Sequence, residues 1–152
     1  MDLFIIRHGD TIDSYPDSHR KLSGLGKSQV ASAGAAHSNI MAEIEVVFSS
    51  PYLRATQTAD LFLGQLSEKN SLEINRFDDL MPLGDKMSVV SLLQKQHSRV
   101  ILLVAHMPIL GKLIDYLTGE QGTHLGTASL ASLSMDFPGR EMATLNWIHN
   151  AD

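Results

Sequence analysis

The stretch LFIIRHG, residues 3–9, places an arginine and a histidine directly after four apolar residues. A short apolar run without polar alternation is typical of a strand that is buried on both faces of a parallel sheet. The stretch RVILLVAH, residues 99–106, has the same form and also ends in a histidine. Functional side chains of open α/β sheets gather at the carboxyl ends of the strands, so we expect His8 and His106 to lie close together.

Helical periodicity and turn residues divide the rest of the chain into alternating elements. We predict a third strand over residues 45–50 and helices over residues 22–44, 51–66, 88–97 and 108–117. Ser50 and Pro51 are expected to open the second helix, because serine is a good N-cap residue and proline at the first helical position loses no hydrogen bond. Residues 10–23 and 76–85 are predicted to be irregular.

The C-terminal part changes from a helical period to a strand period. Apolar and polar residues alternate from Ala131 to Phe137, Pro138 and Gly139 make a turn, and residues 142–149 form a second apolar segment. This pattern predicts an antiparallel hairpin. The fold class is therefore expected to be α/β, a three-layer α/β/α sandwich whose mostly parallel sheet has an antiparallel edge. Residues 1–152 are expected to form a single domain.

The composition argues against several classes of protein. Hydrophobic residues make up 43% and charged residues 19% of the chain, as in ordinary globular domains. The net charge of −5 argues against a nucleic-acid partner, because phosphate backbones are bound by a surplus of Lys and Arg. The longest apolar run is far shorter than the roughly 20 residues of a membrane span, so no membrane partner is expected. The absence of cysteine and of a basic leader favours a cytoplasmic location.

Two arginines and two histidines are predicted to converge on an anion. The guanidinium groups of Arg7 and Arg54 match the oxygens of a phosphoryl group, and Arg54 lies near the start of a helix, where the helix dipole favours negative charge. A neutral imidazole at His8 can attack phosphorus and form a phosphohistidine. His106 would help the arginines to stabilise charge in the transition state. The chemistry needs no cofactor and no metal.

Each of these residues also has a purely structural interpretation. A single histidine after an apolar strand is more often structural than catalytic, and a single arginine on a helix is usually a solvated charge. A metal site formed by His8 and His106 is disfavoured, because Arg7 would repel the cation and no nearby carboxylate completes the ligand set. The other five histidines are interpreted as surface or satisfied residues.

Four motifs in order resemble the histidine phosphatase (phosphoglycerate mutase-like) superfamily. They are RHG at 7–9, LSGLGKSQ at 22–29, SSPYLRATQTA at 49–59 and VAHMP at 104–108. The short chain, FIIRHGD and DDLMPLGD look most similar to the bacterial SixA-type phosphohistidine phosphatases. The resemblance implies that His8 is the transiently phosphorylated nucleophile and that Arg7, Arg54 and His106 form the phosphate pocket. It also places Ser23 near the pocket, and we interpret Gly9 as a residue that lets the backbone turn without crowding the substrate.

The sequence departs from the larger members of this family at the proton donor. Their acidic residue lies in the loop that corresponds to residues 78–85, where the mutases' glutamate aligns with Pro82. Asp79 and Asp85 flank this point and are weak candidates for the acid. A leaving alkoxide needs a proton, whereas a phosphohistidine ring that is protonated near neutral pH leaves as neutral imidazole. A site without a strong acid therefore suits N–P bonds better than O–P bonds.

The predicted function is that of a protein phosphohistidine phosphatase. By resemblance, its partners would be phosphorylated histidine-containing phosphotransfer domains or phosphocarrier proteins, with phosphate as product and a monomer as the favoured state. One alternative is a small-molecule phosphomonoesterase or mutase of the same fold that uses Asp79 or Asp85 as acid. The other is a non-catalytic phosphoprotein-binding module, although a module that only binds has no use for a nucleophile at His8.

Overall fold

A six-stranded sheet lies at the centre of the structure, a computed structural model that describes residues 1–64 and 72–151. The strands are β1 Asp2–Arg7, β2 Val46–Ser49, β3 Ile74–Arg76, β4 Val100–Ala105, β5 Leu130–Met135 and β6 Ala143–His149. The helices are α1 Gly24–Ala36, α2 Ser38–Met41, α3 Leu53–Leu63, α4 Lys86–Gln94 and α5 Ile109–Thr118. The strand order is β3-β2-β4-β1-β5-β6.

The pairing of the strands confirms the predicted sheet. Strands β3, β2, β4 and β1 are parallel, while β5 runs antiparallel to β1 and pairs with β6 in the C-terminal hairpin. In the central pair, Arg7 of β1 lies opposite Ala105 of β4. His8 and His106 directly follow these two residues and therefore lie side by side at the edge of the sheet.

Helices cover both faces of the sheet, which explains the continuous apolar runs. Leu3 and Ile5 of β1 join a core with α4 and α5, while Phe4 and Ile6 join a second core with α1 and α3. A strand with one polar face would show alternation, and β1 shows none because both of its faces are buried. Burial of each large aliphatic side chain contributes about 1.5–3 kcal/mol to stability. The structure thus confirms the three-layer α/β/α prediction.

Several predicted boundaries are wrong. The helix predicted over residues 22–44 ends at Ala36, and only the short helix α2 follows. Helix α3 begins at Leu53 with Tyr52 as its N-cap, so Ser50 and Pro51 precede the helix instead of opening it. The last two residues of the helix predicted over 51–66 lie outside the described residues.

The helix predicted over residues 88–97 is α4, Lys86–Gln94, and the two edges of the sheet account for further differences. Strand β3 is only three residues long and was not predicted, because so short an edge strand carries no period. At the other edge β5 ends at Met135, and Phe137, the last residue of the predicted alternation, is 52% exposed beyond it. Within residues 1–64 and 72–151, none of the helices has the length and apolarity needed to cross a bilayer.

Candidate active site

The structure brings the four predicted residues Arg7, His8, Arg54 and His106 together at the carboxyl ends of β1, β2 and β4. The His8 and His106 rings have centroids 5.0 Å apart, and the His8 N–H donates to the carbonyl of Ala105 at 3.0 Å. Arg54, in the first turn of α3, donates from Nε to Nε2 of His8 at 3.4 Å. We call these residues the four-residue cluster.

His8 is held as a neutral ring whose unprotonated nitrogen faces Arg54. Its Nδ1 lies 2.8 Å from the carbonyl oxygen of Gly9. Because a carbonyl only accepts hydrogen bonds, Nδ1 carries the ring proton and Nε2 carries the lone pair. Burial lowers the pKa of His8 to about 4, against the hydrogen bond to Gly9, and the charges of Arg54 and Arg7 add to the decrease. Nε2 is therefore an unprotonated nucleophile at neutral pH.

His106 is also neutral, and its Nε2 contacts a serine hydroxyl. Burial, followed by the neighbouring His8 and Arg54, lowers the pKa of His106 to about 2. Its Nε2 lies 2.7 Å from Oγ of Ser50, and that hydroxyl also accepts the N–H of Tyr52 at 3.2 Å. If the Ser50 hydroxyl donates to Nε2, the ring proton lies on Nδ1, a buried atom with no partner among the described residues. Nδ1 is then a donor available to an anion.

The two arginines of the cluster are anchored on opposite sides. Arg7 donates from Nη1 to the carbonyl of Leu125 at 2.9 Å, and its Nε is buried without a partner within the described ranges. Burial lowers the pKa of Arg7, and the charge of Arg54 lowers it further. Guanidinium groups nevertheless stay protonated in proteins. A buried and a half-buried guanidinium, with an unused donor at Nε of Arg7, form a site suited to an anion.

The loop of residues 10–22 contributes Asp17, which sequence reasoning missed. Arg54 donates from Nη1 to the Asp17 carbonyl at 2.7 Å and from Nη2 to its Oδ2 at 3.2 Å. Arg20 donates to Oδ1 of the same carboxylate at 3.3 Å, and its charge also lowers the pKa of His8. No period or motif in the sequence marks these two residues, because only the folding of the loop brings them to Arg54.

Gly9 is required by close packing and not by the turn that the sequence suggested. A Cβ at this position would lie 2.7 Å from the carbonyl oxygen of Gly26 in α1. The Gly9 N–H donates to Oγ1 of Thr58 at 3.1 Å, and that hydroxyl donates to the carbonyl of Arg54 at 2.8 Å. Thr58, whose role was also not predicted from the sequence, thus links the backbones that carry His8 and Arg54.

Ser23, Asp79 and Asp85 have contacts outside the four-residue cluster. Ser23 caps α1 by accepting the N–H of Gly26 at 3.0 Å, and it donates to Oδ2 of Asp10 at 2.7 Å. Asp79 accepts the N–H of Asp85 at 3.1 Å, and Asp85 caps α4. These two carboxylates line an open depression of about 460 Å³ beside α4. The contacts of all three side chains are those of local structure.

The remaining histidines include one pair in mutual contact. His37 stacks on Trp147 with centroids 4.9 Å apart, and its Nε2 hydrogen-bonds Nδ1 of His149. Among the described residues, no group of three or more His, Asp or Glu side chains is arranged to hold a metal ion.

Comparison with known proteins places this cluster in a family. The sequence model of the histidine phosphatase superfamily (branch 1) matches residues 3–82. Phosphohistidine phosphatase SixA of Escherichia coli (strain K12) is 33% identical, over 97% of this chain and 92% of that protein. The chain belongs to the histidine phosphatase superfamily. The resemblance given by the four sequence motifs is thereby confirmed.

Two solved structures have the same fold. The protein histidine phosphatase SixA complexed with tungstate has a TM-score of 0.90 and 31% identity, covering 99% of this chain and 97% of that one. A mycobacterial glucosyl-3-phosphoglycerate phosphatase has a TM-score of 0.72 at 18% identity, covering 99% of each chain. At that identity the second likeness concerns the fold alone.

Proposed function

We propose that this chain is a protein phosphohistidine phosphatase that acts through phosphorylated His8. The observation that carries the proposal is the unprotonated Nε2 of His8, in a ring whose Nδ1 is held by the Gly9 carbonyl, beside the buried Arg54 and the half-buried Arg7. Nε2 attacks phosphorus, the substrate's P–N bond breaks, and the substrate's imidazole leaves with the electron pair of that bond. Water then attacks phosphorylated His8, which releases phosphate and regenerates the neutral ring.

Arg7, Arg54 and His106 would hold the phosphoryl group during both steps. Guanidinium groups form bidentate hydrogen bonds with phosphate oxygens, and an Nδ1–H at His106 would donate a further hydrogen bond to the same group. Tungstate, bound in the relative's structure, is a tetrahedral oxyanion like phosphate. This likeness supports an oxyanion site in the present chain, because the two chains correspond over nearly their whole length.

The arrangement of acids favours phosphohistidine over phosphate esters. Asp79 and Asp85 hydrogen-bond within their own loop and to α4, so neither is held next to His8 by a contact of the cluster. Loss of general acid assistance slows the departure of an alkoxide by roughly 10²–10⁴-fold, whereas a protonated phosphohistidine ring needs no such assistance. Substrates of this class are phosphorylated histidine phosphotransfer domains and phosphocarrier proteins.

A panel of substrates tests the proposed function directly. Purified protein is given several phosphohistidine carrier proteins and simple phosphate esters, and release of inorganic phosphate is measured for each. We expect turnover of at least one phosphohistidine carrier at rates well above those of the esters. Rapid ester turnover that Asp79→Asn or Asp85→Asn removes would instead identify a small-molecule phosphomonoesterase.

The ionisation of His8 gives a prediction about pH. Because burial lowers the pKa of His8 to about 4, its ring should titrate near that pH and not near the ordinary histidine value of about 6.5. Nuclear magnetic resonance of the His8 ring, assigned by its loss in His8→Ala, measures the midpoint. Phosphoenzyme formation should accordingly persist at about pH 5 and fall as the pH passes below about 4. A midpoint near 6.5 would contradict a buried, neutral nucleophile.

Ser50→Ala tests whether the serine hydroxyl fixes the proton of His106. Without the Ser50 hydroxyl, the ring proton of His106 can move to Nε2. Nδ1 is then no longer a hydrogen-bond donor in a fraction of the molecules. We expect kcat/KM for a phosphohistidine carrier to fall about 5- to 20-fold, as for the loss of one buried hydrogen bond. Ser49→Ala is the matched control, because Ser49 is an adjacent buried serine whose hydroxyl donates only to the carbonyl of Ser50. Equal effects of the two substitutions would indicate a general loss of packing.

A further inference from the structure

Asp17 brings a carboxylate to the outer side of the four-residue cluster. Its carbonyl and Oδ2 accept hydrogen bonds from Arg54 at 2.7 and 3.2 Å, while Oδ1 accepts from Arg20 at 3.3 Å. Within residues 1–64 and 72–151, Arg54 and Arg20 are the charged groups that act on this carboxylate, and Arg54 in turn contacts His8. The proposed hydrolysis has so far assigned this carboxylate no role.

Exposure shows on which side of Arg54 the carboxylate lies. His8 is 7% exposed and the Arg54 side chain 6%, but the Asp17 side chain is 56% exposed. The guanidinium of Arg54 therefore spans the distance between a buried nucleophile and a carboxylate at the surface. In phosphoryl transfer the leaving group departs roughly in line, opposite the nucleophile. With His8 at the buried end, the leaving group lies on the solvent side, where Asp17 is.

The carboxyl group of Asp17 is ionised at neutral pH. Its partial burial acts to raise the pKa, but the charges and hydrogen bonds of Arg54 and Arg20 outweigh this effect and lower the pKa of Asp17. An ionised carboxylate cannot donate a proton to a leaving oxygen. Toward a departing group it acts through its negative charge, which attracts a cation and repels an anion.

We propose that Asp17 is a specificity residue that favours protonated phosphohistidine over phosphate esters. The inference rests on the proposed function and deepens it. The protonated ring of phosphohistidine is a cation, and a carboxylate on the leaving-group side stabilises it until the P–N bond breaks and the ring leaves as neutral imidazole. An ester's leaving oxygen develops negative charge, which the same carboxylate repels. Asp17 thereby selects the leaving group without transferring a proton.

Asp17→Asn separates this role from simple support of Arg54. The asparagine keeps the backbone carbonyl and one side-chain oxygen but removes the charge. Phosphoenzyme formation is measured in single turnovers with two small donors, phosphoimidazole and p-nitrophenyl phosphate. We expect Asp17→Asn to slow transfer from phosphoimidazole on the order of tenfold, while transfer from the aryl ester stays unchanged or becomes faster. An equal loss with both donors, or no loss with phosphoimidazole, would overturn the proposal.

The pH dependence of transfer from phosphoimidazole provides a second, independent measurement. A carboxylate near the bound donor raises the pKa of its ring, so the alkaline fall of the rate should lie at higher pH in the wild type than in Asp17→Asn. If Asp17 had a purely structural role, the alkaline fall of the rate would lie at the same pH in the wild type and in Asp17→Asn. This measurement therefore tests the role of Asp17 even if the aryl ester reacts too slowly to follow. Asp13→Asn, at an exposed carboxylate of the same loop, is the matched control and should leave transfer from both donors and the alkaline fall unchanged.

Failure of the proposed function would have a different signature. A wild-type protein that forms phosphoenzyme from phosphoimidazole but dephosphorylates no phosphohistidine carrier would contradict the protein phosphatase assignment. The comparison of Asp17→Asn with Asp13→Asn would still report on selection of the leaving group.

Discussion

His8→Ala is expected to abolish turnover of phosphohistidine carriers, with a loss on the order of 10⁴-fold or more. The reason is geometric. Among the ring nitrogens of the four-residue cluster, Nδ1 of His8 is engaged by the Gly9 carbonyl and Nε2 of His106 by Ser50, and Nδ1 of His106 is assigned the ring proton. Nε2 of His8 is an unprotonated atom beside Arg54. No acid-labile phosphoenzyme should be trapped from the variant with radiolabelled donor. Phosphate release and the trapped label are the two measurements.

The variant should still fold and still bind inorganic phosphate, because Arg7, Arg54 and His106 remain. Titration calorimetry with phosphate therefore separates a missing nucleophile from an unfolded protein. His97→Ala, at an exposed histidine, is the matched control and should turn over at the wild-type rate. Full activity in His8→Ala, or a phosphoryl group mapped to His106 in the wild type, would overturn the proposed mechanism.

The ends of the buried strands were the part of the site that the sequence could predict. A continuous apolar run marks a strand covered on both faces, and the residue after such a run must lie at the carboxyl edge of the sheet. The positions of Arg7, His8 and His106 could be predicted in this way without any knowledge of the loops. The position of Arg54 could also be predicted, because only a few residues separate the end of β2 from the start of α3.

The remaining parts depend on contacts that leave no periodic signal. Asp17 reaches Arg54 through an irregular loop, whose path is decided by bonds such as those of Arg20 to the backbone of Ile12 and the hydroxyl of Thr11. Ser50 was interpreted as a helix cap, since serine before proline is typical of one, but its hydroxyl is used by His106. The sequence suggested that Gly9 is needed for a turn, whereas the structure shows that it is needed because α1 packs closely against it. Such packing between distant parts of the chain leaves no local signal in the sequence.

Arg54→Ala is expected to lower kcat/KM for a phosphohistidine carrier by about 10³-fold, the lower end of the range for an arginine that stabilises phosphoryl transfer. Arg54 contacts His8 through Nε and Asp17 through Nη1 and Nη2, so its loss removes the proposed phosphate ligand and the contacts of the loop at the same time. Steady-state kinetics on one carrier measure the effect, and Arg140→Ala, at an exposed arginine, is the control.

Arg54→Lys distinguishes charge from shape at this position. A lysine restores one positive charge but has a single nitrogen, so it cannot contact His8, phosphate and Asp17 together. If the reaction requires the bidentate shape of the guanidinium, kcat/KM of Arg54→Lys should be no more than about tenfold higher than that of Arg54→Ala. Recovery to the wild-type rate would show that a point charge is sufficient. A loss below about tenfold in Arg54→Ala would contradict the assignment of the phosphate site itself, because an arginine that stabilises the transition state of phosphoryl transfer contributes far more than tenfold.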